Sequence, residues 1–258
     1  MKKMISIFRK ISFKVAIGFI ICGMGSFVFI NCAKQQTAET ILEKAIAAHG
    51  GFEKSKLFKK ITYLKTTYLY DSIGNATRTI EREITHEWKP LRTLMEWNEG
   101  DARFKVEWHK NKLNAYKNGR LATDTMDTLA LRRSLEAAFY VFWQPFKLLD
   151  KGTTVELVGL TTLLGKTEEE VFDLKITYPK DSRGHVWHYY VDVQTFLLRA
   201  TEVTHDGRTS IIFNDSIEKM TGLQLNKKRS SYRIKKDTIA QLLAQYDYRI
   251  LGFEKLDP

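Results

Sequence analysis

The sequence predicts a mainly β domain with a few helices, arranged as a one-sided antiparallel sheet and carried beyond a membrane by an N-terminal export segment. Three observations lead there. From Phe58 onward apolar residues alternate at period two, with turn residues about every ten positions. Two segments, Ala38–His49 and Thr125–Trp143, carry the spacing of amphipathic helices instead. The first thirty-odd residues are basic and then apolar, unlike anything after them.

In that first segment Met1–Lys14 holds five basic residues and no acid, and Val15–Ala33 holds nineteen residues without a charge. A basic start, an apolar stretch and a small-residue exit is the plan of a secretory signal. Nineteen uncharged residues would also span a bilayer as an uncleaved anchor, with the N-terminus held in the cytoplasm. Both readings place residues 34–258 on the far side of the membrane. The chain has two cysteines, Cys22 inside the apolar stretch and Cys32 at its exit, so the domain beyond has no internal disulfide. Cys32 at that boundary resembles the lipidated cysteine of bacterial lipoproteins, although Asn31 stands where that pattern wants Gly, Ala or Ser. The expected division is therefore a signal over 1–31, a polar tether over 32–40 and one domain over 41–258.

The full chain has 41 basic and 30 acidic residues. Without residues 1–31, 36 basic residues remain against 30 acidic ones, a net charge of +6. Those charges are spread along the chain and form no basic stripe with a reading motif, which argues against nucleic acid as a partner. Weak attraction to anionic headgroups is the more natural use of such a charge.

In chain order, Ala38–His49 is the first helix, with Ile41, Leu42, Ala45 and Ile46 on one face and Gly50-Gly51 as its stop. Strands are expected at 58–70, 77–88, 91–97, 102–109 and 113–117. Placing Trp88 opposite Leu91 puts Ile84 opposite Met95, and placing Trp97 opposite Ala102 puts Met95 opposite Phe104. One face then gathers Ile80, Ile84, Trp88, Leu91, Met95, Trp97, Phe104, Val106 and Trp108. The other holds Arg92, Glu96, Arg103, Lys105 and Glu107. A helix over Thr125–Trp143 follows, capped by Asp124 or Asp127 and ended before Pro145. Further strands are expected at 153–159, 169–178, 185–193, 196–204, 209–214 and 229–236, then a short helix at Asp237–Gln245 and a last strand at Tyr248–Phe253. Pairing Val193 with Phe196 puts Trp187, Tyr189, Val191, Leu198 and Ala200 on one face, and sets Asp192 beside Arg199 as a surface ion pair. The strands are short and their polar face densely charged, which excludes an outer-membrane barrel.

The order of these elements resembles the outer-membrane lipoprotein carrier and sorting superfamily, the LolA/LolB-like proteins. The stretch Trp187-His188-Tyr189-Tyr190-Val191-Asp192-Val193-Gln194-Thr195-Phe196-Leu197-Leu198-Arg199 is similar to that family's aromatic hairpin, and Met220–Leu225 to the approach to its next strand. Ile46–Gly51 and Gln144–Asp150 resemble a subgroup of envelope lipoproteins within it. The resemblance covers most of residues 40–236. It implies a half-barrel, a single curved antiparallel sheet of about ten or eleven strands with helices over the concave face. It also implies a cavity for acyl chains there, and a place in the cell envelope, the outer membrane above all.

Motifs for chemistry are few. There is no Gly-rich phosphate loop, GxSxG, HExxH or cysteine pair. His185 and His188 fall on opposite faces of a strand, and His205 shares a face with His188 at roughly 13 Å, too far for joint ligation. His49 reads as a polar cap at a helix end. No cofactor, metal site or catalytic residue is expected. The aromatic content, 31 Phe, Trp and Tyr, serves a sheet core and equally an apolar cavity. The candidate cavity residues are Trp88, Met95, Trp97, Phe104, Trp108, Phe139, Phe142, Trp143, Trp187 and Tyr189, with Phe139, Phe142 and Trp143 as a lid. The leading expectation is a non-enzymatic lipoprotein, attached to its membrane through Cys32, that binds a lipid. The alternatives are an interaction module that fills its own concave face and binds an envelope protein, and an envelope hydrolase.

Overall fold

The computed structural model describes residues 36–178 and 185–256. The export segment, Cys32 and the start of the tether lie outside them. The described residues form one open thirteen-stranded antiparallel sheet with three α-helices. Helix α1 spans Ala38–Ala48, capped by Thr37, whose hydroxyl accepts from the Thr40 N–H. It ends at Gly50 (φ 111°) and Gly51 (φ 90°), a conformation that glycine adopts freely. Gly50 is doubly constrained, since an added Cβ would meet Leu223 Cδ2 at 2.9 Å. Helix α2 is one turn, Phe52–Lys56.

The strands β1 (Phe58–Tyr70), β2 (Ala76–Trp88), β3 (Leu91–Glu99), β4 (Ala102–His109), β5 (Lys112–Lys117) and β6 (Arg120–Leu121) form a meander. Helix α3 (Thr128–Phe142) follows. Then come β7 (Thr154–Thr162), β8 (Glu170–Thr177), β9 (Val186–Asp192), β10 (Leu198–His205), β11 (Arg208–Glu218), β12 (Leu225–Lys235) and β13 (Thr238–Lys255). The spatial order is β6-β5-β4-β3-β2-β1-β13-β12-β11-β10-β9-β8-β7, so β1 and β13 join the two meanders at the centre. The edge strands β6 and β7 are consecutive in the chain, and α3 is their connection. A chain that must pass from one edge of a curved sheet to the other crosses its concave face, which explains the position of α3. An open sheet this wide curls under its own twist.

One core occupies the concave face, where Ile61, Tyr63, Ile84, Met95, Tyr189 and Tyr248 meet the buried faces of α1 and α3. A smaller one lies on the convex face, where Leu163 covers Val171, Ala200, Ile211 and Phe213.

Several expectations change. The segment Asp237–Gln245 is strand from Thr238 on, because β13 pairs with β12 over its first half and with β1 over its second, and those ladder bonds override helical spacing. Ile84 does face Met95, but Trp97 faces Phe104 and Met95 faces Val106, because the β3–β4 turn is two residues, Gly100-Asp101. The shift is by two, so the faces survive. Ile84 and Met95 are buried, Phe104 is half-buried, and Arg92, Glu96 and Lys105 are half-buried among outer-face charges rather than fully exposed. A bulge between Leu198 and Ala200 has a larger effect. It turns Ala200 to the convex face and sets His205 beside His185, ring centroids 5.3 Å apart, rather than on the face of His188. Asp192 binds the turn through Gln194 N, Thr195 N and Thr195 Oγ1, and Arg199 pairs with Glu169.

Candidate functional site

Crossing the concave face, α3 lays Phe142 on Tyr63 with ring centroids 3.9 Å apart and stacked, and against Tyr248 at 5.6 Å. The Tyr63 hydroxyl donates to Ala138 O, and Asn226 Nδ2 donates to Val141 O, so the helix is bonded to β1 and β12. Phe139 stacks on His86 at 3.5 Å. Under this stretch the half-barrel is filled by its own rings.

Beside that stretch it is hollow. A cavity of about 1150 Å³ runs between α3, the start of β1, the ends of β2 and β3, and β9. That exceeds the usual range for a small-ligand pocket. Phe58, Trp88 and Trp143 form one wall, with Trp88–Trp143 centroids at 4.8 Å and Phe58–Trp143 at 5.2 Å. Exposed Phe52 and Leu91 mark its mouth.

Of the ten candidate residues, Trp88, Trp108, Phe139, Trp143, Trp187 and Tyr189 line this cavity. Met95 and Phe142 are instead fully buried core, and Trp97 and Phe104 stack on each other at 5.1 Å away from it. The sequence reading missed the polar part of the wall. Tyr140 Oη donates to Tyr178 Oη (2.7 Å), which bonds Tyr189 Oη (2.9 Å), and Gln144 Nε2 donates to Tyr189 Oη (2.7 Å). Burial, followed by the neighbouring phenols, holds all three tyrosines above their ordinary pKa, so they stay neutral. Among the described residues Gln144 Oε1 and Trp187 Nε1 are buried without a partner. Only the clustering of Tyr178, Trp187, Tyr189 and Tyr140 hinted at this chain, since it is assembled from α3, β9 and the residue after β8.

His86 is driven down to about 3 by burial and then by the Lys147 charge, so it sits in the wall as a neutral ring. Its Nδ1 is 2.8 Å from Thr93 Oγ1. His49 caps α1 as expected and does more. Its Nδ1 donates to Gln224 O (2.5 Å), its Nε2 accepts from Leu198 N (3.1 Å), and burial lowers its pKa to about 4. A His–Asp pair, His188 Nδ1 to Asp173 Oδ1 at 2.7 Å, lies on the convex face with Tyr190 and Glu202, away from the cavity. Among the described residues no group of three His, Cys, Asp or Glu is placed to hold a metal ion, and no helix is long and apolar enough to cross a membrane.

No protein-family model matches the sequence, and no curated protein is similar to it. Solved structures do match the fold. A LolA superfamily protein from Nitrosomonas europaea aligns over 86% of this chain and 94% of its own, at TM-score 0.52 and 14% identity. A DUF1329 family protein from Desulfovibrio piger aligns over 82% of this chain and 91% of its own, at TM-score 0.52 and 12% identity. The likeness is one of fold, and the chain has the LolA-like half-barrel.

Proposed function

We propose that the protein is an envelope lipoprotein that holds an acyl chain or similar apolar ligand in the cavity beside α3, without catalysing a reaction. The observation that carries this reading is an aromatic hollow in the concave face of a LolA-like half-barrel, at the place where α3 leaves the sheet uncovered. Each methylene moved from water into it would contribute about 0.8 kcal/mol. In this proposal the chain is attached through lipid on Cys32, residues 32–40 are the tether, and the outer membrane is the destination. Trp143 is the movable part of the lid, because it borders both the cavity and the Phe58–Trp88 pair, whereas Phe142 is fixed in the Tyr63 stack.

The test is uptake of a fluorescent fatty-acid probe by the full-length protein. Saturable binding that Trp143→Glu weakens at least about tenfold, with the far-UV β signal kept, is the expected result. Absence of binding by the wild type would overturn the reading. Replacing Cys32 with Ser should release the domain from membranes or leave the precursor uncleaved. Unchanged membrane association at unchanged mass would favour the uncleaved anchor.

The second reading, a protein-interaction module with a self-filled core, is favoured by one observation. The Tyr63–Phe142–Tyr248 stack already fills the centre of the concave face. On that reading the probe stays outside, and a partner protein binds the outer surface.

A further inference from the structure

We infer that the concave face also carries a subsite for an anionic group, built by Lys65, Arg82 and Arg229. Tyr63 and Ile84 are cross-strand partners in the row beneath α3. Phe58 and Trp88 lie from that row toward the cavity, while Lys65 and Arg82 lie two residues the other way, toward the β1–β2 turn. Lys65 and Arg82 are themselves direct cross-strand partners on the same face. Like charges set opposite one another destabilise a sheet, so this pair needs a reason.

Arg229 comes from β12 and is 2% exposed. Its Nε donates to Asn214 Oδ1 (2.8 Å) and its Nη2 to Thr201 Oγ1 (3.2 Å), both neutral acceptors. Arg82 donates through Nη1 to Ser134 Oγ on α3 (2.8 Å), and its Nε is buried without a partner among the described residues. The Lys65 ammonium lies over the Tyr246 ring at 5.0 Å. Among the described residues none of the three cations is in an ion pair with a carboxylate. Glu99, whose charge reaches Arg82, is already bound to Arg78 at 2.5 Å. Burial, then Arg229 and Arg82, depress Lys65 to about 8, the mark of an ammonium among cations.

A desolvated cation without a counter-charge is costly, and a charge-assisted bond to an anion removes that cost. Arginine side chains suit a phosphate, sulfate or carboxylate through their planar fork, and Lys65 adds a point charge. The geometry therefore selects an acidic group and disfavours a cationic or zwitterionic one. Lys65, Arg82 and Arg229 lie across the Tyr63–Phe142 row from the cavity and do not line it. That one amphiphile places its head on them and its chain in the cavity rests on the function proposed above, whereas the anion subsite does not.

The experiment compares dodecyl phosphate, dodecanol and inorganic phosphate as ligands of the full-length protein, each measured by displacement of the fluorescent probe and by thermal shift. Dodecyl phosphate should bind at least about tenfold more tightly than dodecanol, the gap shrinking with added salt. Lys65→Gln with Arg82→Gln should abolish that gap and leave dodecanol binding intact. Arg82→Lys, which keeps the charge, should retain most of it. Equal affinities of the two chains, or a gap that survives the double substitution, would overturn the subsite while leaving the cavity standing. If neither chain binds but inorganic phosphate stabilises the wild type and not the double variant, the subsite stands and the acyl-carrier reading falls. Absence of any response to all three removes both.

Discussion

The two halves of the concave face are built on opposite terms. On the cavity side, Trp88, Trp143, Phe58 and Phe139 touch one another edge to face, tilted or stacked, and the buried histidine among them is neutral. On the other side, the same strands β1 and β2 set Lys65 against Arg82, and β10 and β11 hold Arg229 of β12 on neutral acceptors. The first half packs its rings against one another and leaves a hollow. The second leaves charge uncompensated within the same wall. Stability is thus concentrated where rings pack, and demand for a ligand where charges do not. Natural folds violate their own local rules mainly at sites of function.

Three predictions sharpen that contrast. The largest effect belongs to the row that separates the halves. Phe142→Ala removes a fully buried ring stacked between Tyr63 and Tyr248 and should cost about 3–5 kcal/mol in urea unfolding. A loss below about 1 kcal/mol would mean that α3 is not fixed to the sheet, and the division into halves would fail with it.

Next comes acid. His49 and His86 are held near 4 and 3, both below the ordinary histidine value of 6.5, chiefly by burial. As pH falls through 6.5 the unfolded chain takes up these protons and the folded chain does not. Their contribution is therefore complete above pH 6.5 and is lost as pH falls toward 4 and 3, at about 1.4 kcal/mol per unit for each ring. His188 on the convex face acts in the opposite direction, because its bond to Asp173 raises its pKa and its contribution is greatest in acid. His86→Phe keeps the stack on Phe139 and removes one of the two protons, so the slope of stability between pH 6 and 4.5 should fall by about half. An unchanged slope would show that His86 is already protonated or exposed.

The smallest effect has the opposite sign. Lys65→Gln relieves a like-charge cross-strand pair and should stabilise the ligand-free protein by about 0.5 kcal/mol. A substitution that costs stability instead would mean that Lys65 has a structural partner, and the contrast between the halves would weaken.

What the sequence showed, and what it hid, follows the same line. The meander from Phe58 to Lys117 was legible because one face of an antiparallel sheet is buried and alternation reports it directly. The bulge beside Arg199 was not, because it accompanies a tertiary bond. The Leu198 N–H is given to His49, 149 positions earlier, and no local pattern records that. From there the faces of Ala200 and His205 were misassigned. The β13 segment hid behind its helical spacing, although β12 pairs with its first half across the two-residue turn Lys236-Asp237; only its second partner, β1, lies far away in the chain. Within the site, large rings announced the cavity wall. Lys65, Arg82 and Arg229 carry no common signal in the sequence, because only the pairing of β1 with β13 and of β13 with β12 brings them together.

The central claim is that the hollow beside α3 is a binding cavity, and native mass spectrometry of the full-length protein released from its own membranes addresses it most directly. Spectra should show, beyond the mass of the chain and its lipid at Cys32, a second mass that collisional activation removes as an intact lipid, and Trp143→Glu should reduce that species sharply. A protein that flies without any such adduct from membranes of every lipid composition tried, while remaining folded, would contradict the claim and leave the half-barrel as a self-filled scaffold.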